Sequence, residues 1–201
     1  MVAVIDYDAG NIKSVVKAVE YLKKECVVTR DIDIIMKADH IILPGVGAFG
    51  DAMEKLVSFG LDETIREITD RKIPFIGICL GLQLLFEESE ESPGVKGLGL
   101  FKGRIRKFPE NKGLKVPNIG WNSLEVIREG RLLKGLAEDS FMYFVHSYYA
   151  DAEDKNIVSA RIDYGVKADV VVEKDNVFAC QFHPEKSSSQ GLKLLENFLD
   201  L

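Results

Sequence analysis

The sequence predicts an α/β protein: an open, mostly parallel sheet with flanking helices and added antiparallel strands in the C-terminal half. Three observations predict it. Short uninterrupted apolar runs, such as residues 2–5 and 75–78, have the pattern of strands covered on both faces. Segments with apolar residues at helical spacing lie between those runs, so strand and helix alternate through the first half. Beyond about residue 101 the pattern turns predominantly β-rich.

The elements follow in order. Val2 to Ile5 is the first strand, and after a Gly10-Asn11 turn Ile12, Val15, Val16, Val19 and Leu22 line one helical face. Val27-Val28 reads as a second strand and His40 to Leu43 as a third, which ends at the loop Pro44-Gly-Val-Gly47-Ala-Phe-Gly50. Met53 to Leu56 and Leu61 to Ile68 read as helices, and Phe75 to Ile78 as the strand leading into Cys79. In the second half, residues 102–108, 124–127, 141–149, 157–162, 168–173 and 177–182 read as strands. Asp175-Asn176 reads as the turn of a hairpin. A closing helix over residues 190–201 carries Leu192, Leu195 and Phe198 on one face. No repeat, low-complexity tract or linker divides the chain, so residues 1–201 are expected to form one domain.

Composition narrows the function classes. With 46% hydrophobic and 29% charged residues, the chain has the make-up of an ordinary soluble globular protein. A formal net charge of −6 argues against nucleic-acid or anionic-membrane partners. The N-terminal run lacks the basic region and long apolar core of a signal peptide, and no apolar run has the length of a membrane span. The three cysteines (Cys26, Cys79, Cys180) are irregularly spaced and form no CxxC pair. A reducing, cytoplasmic location is expected, with no metal and no cofactor.

One motif carries chemistry. The run Pro74-Phe-Ile-Gly77-Ile-Cys79-Leu-Gly81-Leu-Gln83 puts a cysteine between two glycines, at the junction of a strand and a run of helix formers. This is the thiol form of a nucleophile elbow, in which the backbone is strained and side chains at the flanking positions would collide with neighbours. Helix N–H groups directed at the sulfur favour thiolate. About a hundred residues later comes Gln181-Phe-His183-Pro-Glu185. A turn at Pro184 would let the Glu185 carboxylate orient the imidazole. Cys79, His183 and Glu185 together suit nucleophilic acyl transfer. The Pro44–Gly47, Cys79–Gly81 and His183–Glu185 loops all follow strands, where open α/β sheets bind ligands.

Other features have plainer readings. Cys26 and Cys180 read as small core residues. His146 reads as a satisfied histidine near a strand end, and His40 carries no signal. Gly45, Gly47 and Gly50 match G-x-G-x-x-G literally, but no ribose-binding carboxylate follows at the required spacing, so the loop reads as a source of backbone donors. The charge run at residues 87–91 reads as a solvated helix end.

These motifs resemble those of the class I, triad-type glutamine amidotransferases. Further segments narrow the likeness: Asp6-Tyr-Asp-Ala-Gly-Asn11, Leu43-Pro-Gly-Val-Gly47, Pro117-Asn-Ile-Gly-Trp-Asn122, Tyr143-Phe-Val-His-Ser-Tyr148 and His183-Pro-Glu-Lys-Ser187. They are similar to the glutaminase subunits of imidazole glycerol phosphate synthases, with Asp8 standing where the family leads one to expect glycine. The resemblance implies hydrolysis of L-glutamine to glutamate and ammonia by Cys79, with His183 moving protons and Glu185 orienting it. It implies oxyanion donors at the N–H groups of Leu80 and Val46, and glutamine contacts at Gly45, Gly47, Gln83, Ser147 and Tyr148. It also implies a heterodimer with a (β/α)8-barrel cyclase subunit, which receives the ammonia and is contacted at or near Trp121, Asn122, Tyr143 and Lys186. In such enzymes the glutaminase is nearly silent alone. The branched Val46 side chain suggests why: it would favour a peptide orientation presenting a carbonyl instead of the N–H. Two other readings stay open here, a glutaminase of another class I branch and a regulatory module that has lost the chemistry.

Overall fold

Four-residue apolar strands cannot satisfy both of their faces against water, and this chain sandwiches them between helices. The computed structural model describes residues 1–109, 113–137 and 139–201. The strands β1 (Val2–Ile5), β2 (Cys26–Thr29), β3 (His40–Leu43) and β4 (Phe75–Ile78) run parallel in the order β2-β1-β3-β4. Alternation along them separates two cores. Ala3, Ile5, Ile41, Leu43 and Phe75 pack with α3 (Phe49–Ser58) and α4 (Leu61–Asp70). Val2, Val4, Ile42, Ile76 and Ile78 pack with α1 (Ile12–Tyr21) and α6 (Ser188–Leu199). Each fully buried Ile or Phe in these layers contributes about 2 kcal/mol. Two short helices complete this half, α2 (Ile32–Ile35) and α5 (Leu80–Leu84).

The C-terminal half extends the same sheet. From β4 outward come β13 (Val177–Cys180), β12 (Lys167–Lys174), β10 (Tyr148–Ala152), β6 (Gly103–Lys107) and β5 (Glu88–Ser89). The β4–β13 pairing is parallel, whereas β13–β12, β12–β10 and β10–β6 are antiparallel. The β12–β13 hairpin turns at Asp175, whose φ is 53°, and Asn176, as expected. β11 (Val158–Asp163) pairs with both β12 and the short β8 (Glu125–Val126). Apart from this sheet, β7 (Asn118–Ser123) and β9 (Phe141–His146) form an antiparallel pair.

Four readings need correction. The run 87–91 is not a solvated helix end. Glu88–Ser89 is a strand, and neighbouring carboxylates cap loose backbone donors: Glu87 accepts from the Gly103 N–H at 2.9 Å, Glu90 from the Lys107 N–H at 2.8 Å and Glu91 from the Phe49 N–H at 2.8 Å. The expected strand over 141–149 is two strands in different sheets, separated at Ser147. The strand at Asn118–Ser123 was not anticipated, because Pro117, Gly120 and two asparagines depress β propensity. The last helix begins at Ser188 and leaves Leu192 half-buried.

Candidate active site

The carboxyl ends of β3, β4 and β13, three hydrogen-bonded neighbours, deliver the three loops singled out by sequence to one place. Cys79 sits between β4 and α5 with φ 56° and ψ −109°, a strained conformation for a side-chain-bearing residue. The turn is held where the Cys79 N–H donates to the Cys180 carbonyl at 2.8 Å and the Leu82 N–H to the Cys79 carbonyl at 3.0 Å. Close approach explains both glycines. A Cβ at Gly77 would stand 2.5 Å from the Gly81 oxygen, and one at Gly81 would stand 2.0 Å from the Leu43 oxygen.

After β13 the chain enters a 3-10 turn at Pro184–Lys186, with proline in its first position. That turn folds Glu185 back, so its Oε1 lies 2.8 Å from His183 Nδ1 with both side chains almost fully buried. Burial alone would lower the His183 pKa, but Cys79 and then Glu185 raise it to about 9. Both neighbours therefore favour the protonated imidazole. Its Nε2 is buried and, among the described residues, faces Cys79 without a regular hydrogen bond, in position for a proton transfer. Sequence reasoning gave no role to Asn11, whose Nδ2 donates to Glu185 Oε1 at 2.9 Å. The only available signal was its place in the Asp6–Asn11 segment.

The same segment braces the loop after β3. The Tyr7 hydroxyl donates to the Pro44 carbonyl at 2.9 Å, and burial, followed by the charge on Cys79, raises the Tyr7 pKa. Asp8, in the position expected to hold glycine, adopts φ 62° and is paired with Arg30. The two N–H groups expected as oxyanion donors do not converge. The Leu80 N–H donates to the Gly45 carbonyl at 3.4 Å. Because the peptide is planar and trans, the Val46 N–H is turned away from Leu80.

A pocket of about 300 Å³ opens over Cys79 and His183, bordered by Val46, Gly47, Gln83, Ser147 and Tyr148. Of the expected glutamine contacts, Gly45 does not line it: the residue is buried, and a Cβ there would lie 2.4 Å from the Tyr7 hydroxyl. Glu91, Pro117, Val145 and His146 line the pocket and were not assigned to it from sequence. His146 is satisfied, as read, but it is also a wall of this pocket. A larger cavity of about 1030 Å³ lies along residues 124–137 and contains no member of the Cys-His-Glu group.

The four residues assigned to a partner contact divide between two places. Trp121 and Tyr143 are paired across β7 and β9 and meet edge to face at 6.0 Å. Asn122, on the same strand, donates instead to Asn118 Oδ1 at 3.3 Å. Lys186 is exposed at the turn beside the triad. Among the described residues, no group of three or more His, Cys, Asp or Glu side chains is placed to hold a metal ion. No described helix is long and apolar enough to cross a membrane.

This strained cysteine between β4 and α5, faced by a histidine–glutamate pair from a neighbouring strand, defines a class, and the chain belongs to the class-I glutamine amidotransferases. The family profile matches residues 3–201. Within it, the chain is 49% identical over 201 residues to the imidazole glycerol phosphate synthase subunit HisH of Methanocaldococcus jannaschii, covering 100% of both chains. It is 50% identical over 196 residues to the protein of the same name from Aquifex aeolicus, covering 97% of this chain and 94% of that one. Solved structures agree on the fold. A glutamine amidotransferase superposes with a TM-score of 0.78 at 20% identity, covering 100% of this chain and 98% of that one. PurLQS from Thermotoga maritima gives 0.74 at 21% identity, covering 99% and 97%.

Proposed function

We propose that residues 1–201 form one amidotransferase domain, the glutaminase subunit of an imidazole glycerol phosphate synthase, which hydrolyses L-glutamine and passes ammonia to a (β/α)8-barrel cyclase subunit in histidine biosynthesis. The observation that carries this is the convergence of Cys79, His183 and Glu185 at the ends of adjacent strands, in a chain about half identical to HisH subunits along its whole length. Cys79 Sγ attacks the side-chain amide carbon, forming a C–S bond. His183 then gives its Nε2 proton to the nitrogen as the C–N bond breaks and ammonia leaves. Water, deprotonated by the now neutral His183, cleaves the thioester to glutamate and releases the Cys79 sulfur as thiolate beside the reprotonated His183. Glu185 keeps the imidazole oriented and stabilises its cation. Gly47, Gln83, Ser147 and Tyr148 contact the substrate.

Developing negative charge on the amide oxygen needs two donors, and loss of one typically costs about 3–4 kcal/mol. The Gly45 carbonyl accepting from Leu80 supports a resting state in which this hole is closed. Rotation of the Gly45–Val46 peptide would free the Leu80 N–H and add that of Val46. Cyclase binding is assigned the task of favouring that rotation.

The partner surface is assigned to one face of the β7–β9 sheet. There Ile119, Trp121 and Phe141 are 61%, 51% and 53% exposed, and Tyr143 and Val145 continue the patch. A contiguous apolar patch of this kind marks an interaction site. Lys186, at the turn after His183, is assigned to its margin, whereas Asn122 lies opposite the buried Met142 and turns toward Asn118 on the other face. A cytoplasmic location belongs to the proposal, since a reducing compartment keeps Cys79 a free thiol. The test is glutamate release from L-glutamine by the chain alone, then with a cyclase subunit and its nucleotide substrate. Turnover confined to the complete mixture and absent in Cys79→Ala is the expected result. Vigorous turnover indifferent to the cyclase would overturn the assignment.

A further inference from the structure

Gln181 stands between β13 and His183 with no exposed surface, and its side chain is not explained by packing alone. Its Oε1 accepts from Gln83 Nε2 at 3.1 Å, and its own Nε2 donates to Cys79 Sγ at 3.8 Å. The direction of these bonds is set by a backbone group. The Tyr148 carbonyl accepts from Gln83 Nε2 at 3.3 Å and faces His146 Nδ1 at 2.8 Å. A carbonyl oxygen can only accept, so Gln83 must turn its amide nitrogen toward it. That nitrogen then supplies the second bond to Gln181 Oε1, and the Gln181 NH2 is left to the sulfur. The other end of the chain has the same polarity. Asn122 Nδ2 donates to Asn118 Oδ1 at 3.3 Å, and Asn118 Nδ2 meets His146 Nε2 at 3.2 Å, which makes Nδ1 the protonated nitrogen. Burial lowers the His146 pKa to about 4, in keeping with a neutral ring.

We propose that Gln181 is a positioning residue for the nucleophile: its amide N–H holds Cys79 Sγ in place and favours the thiolate over the thiol. The proposal rests on the reading of Cys79 as the nucleophile. A hydrogen bond to an ionised acceptor is stronger than one to its neutral form, so the donor stabilises the charged sulfur selectively. Because Gln83 holds the same amide, the nucleophile is braced by a pocket-lining residue, and through the Tyr148 carbonyl by the wall of the pocket. The titratable groups facing Cys79 are His183 from the turn after β13, Tyr7 from the end of β1 and Cys180 from β13, with Glu185 behind His183. Substitution at 181 leaves all of them in the chain.

The test is alkylation of Cys79 by iodoacetamide across a pH series, read peptide by peptide by mass spectrometry, in the wild-type chain and in Gln181→Met. Methionine keeps the volume and removes the donor. The expected result is an about tenfold slower reaction at neutral pH, with the half-maximal rate displaced to higher pH. A folded Gln181→Met chain whose profile superposes on wild type overturns the proposal. Wild-type protein supplies a second readout: the 15N side-chain amide resonance of Gln181 should move across the pH range in which Cys79 alkylation rises and stay still in Cys79→Ala. An amide that is silent in wild type overturns the proposal even if the methionine variant does not fold. Iodoacetamide does not depend on glutamine recognition, so failure here is separate from failure of the glutaminase assignment, which glutamine turnover reports.

Discussion

Two histidines border the same pocket with pKa values displaced in opposite directions, and their surroundings explain why. His183 has a carboxylate and a sulfur for neighbours, which overcome burial and raise it to about 9. His146 has an amide and a carbonyl, so burial prevails, the charge of His183 adds to it, and the pKa falls to about 4. The consequences for stability have opposite signs. The His183 contribution is fully present below the unfolded value of about 6.5 and is lost as pH rises through about 9. For His146 the unfolded chain binds the extra proton, so about 3 kcal/mol present at neutral pH is lost as pH falls from about 6.5 to about 4. Urea unfolding of wild type and His146→Gln at pH 7, 5 and 4 should show a shallower acid loss in the variant, and parallel curves would contradict it. Glu185→Gln removes the charge that orients His183. It should lower kcat about a thousandfold and bring the His183 NMR titration midpoint down from about 9, while an unmoved midpoint would deny Glu185 that part. The grouping of Cys79, His183 and Glu185 was legible because the chemistry expected of it demands particular residue types in recognisable local motifs. Asn11 and His146 were not, since their partners lie 174 and 28 residues away at Glu185 and Asn118.

At the scale of elements, the elbow and the loop beside it make opposite demands on the backbone. The elbow must not move. Gly81→Ala would press a Cβ to 2.0 Å from the Leu43 oxygen, a backbone atom that cannot step aside, and should cost at least about 3 kcal/mol in denaturant unfolding. A loss below about 1 kcal/mol would mean that the β3–α5 approach is looser than described. In the proposed mechanism the Gly45–Val46 peptide, by contrast, must rotate to form the oxyanion hole. Val46 is 39% exposed and lies near Gly10, whose added Cβ would be 3.1 Å from Val46 Cγ2. Val46→Gly frees that rotation and should raise basal glutamine hydrolysis by the isolated chain about tenfold, equivalent to about 1.4 kcal/mol; unchanged basal activity would remove Val46 from the gating account. Elements with strong local signals, such as the apolar strands and α1, were readable in the sequence. The β7 strand was not, because Asn118–Ser123 draws its conformation from pairing with Phe141–His146. The acidic run at 87–91 misled for the same reason: its carboxylates serve N–H groups of residues 49, 103 and 107, which no local pattern reveals.

At the scale of the whole molecule, alternating strands and helices indicated a parallel sheet and the end of it that would hold the chemistry. The insertion of β13 beside β4, which brings His183 to Cys79, depends on pairings about a hundred residues apart and was inferable only from the chemistry. The segregation of apolar surface was equally hidden. Along β9 the side chains alternate between the core and the outside, with Met142, Phe144 and His146 buried while Phe141 is exposed and Tyr143 and Val145 are partly so. In an isolated half-buried strand the outward positions are normally polar. Here aromatic and branched residues fill them; beyond the Trp121–Tyr143 edge-to-face contact and the place of Val145 in the pocket wall, this outward apolar surface suits the partner contact proposed above. Trp121→Asp puts a charge at the centre of that face, opposite Tyr143. It should weaken cyclase binding by at least about 2 kcal/mol, or about thirtyfold, in titration calorimetry. Its effect on the unfolding midpoint of the chain alone should be small, since Trp121 is 51% exposed. Iodoacetamide should still alkylate Cys79 at the wild-type rate, because the change lies outside the nucleophile's surroundings. Unchanged cyclase affinity would move the interface elsewhere, whereas lost chain stability would mean that the face belongs to the fold. Reduced affinity with intact stability and intact thiol reactivity is the combination that assigns the β7–β9 face to the partner.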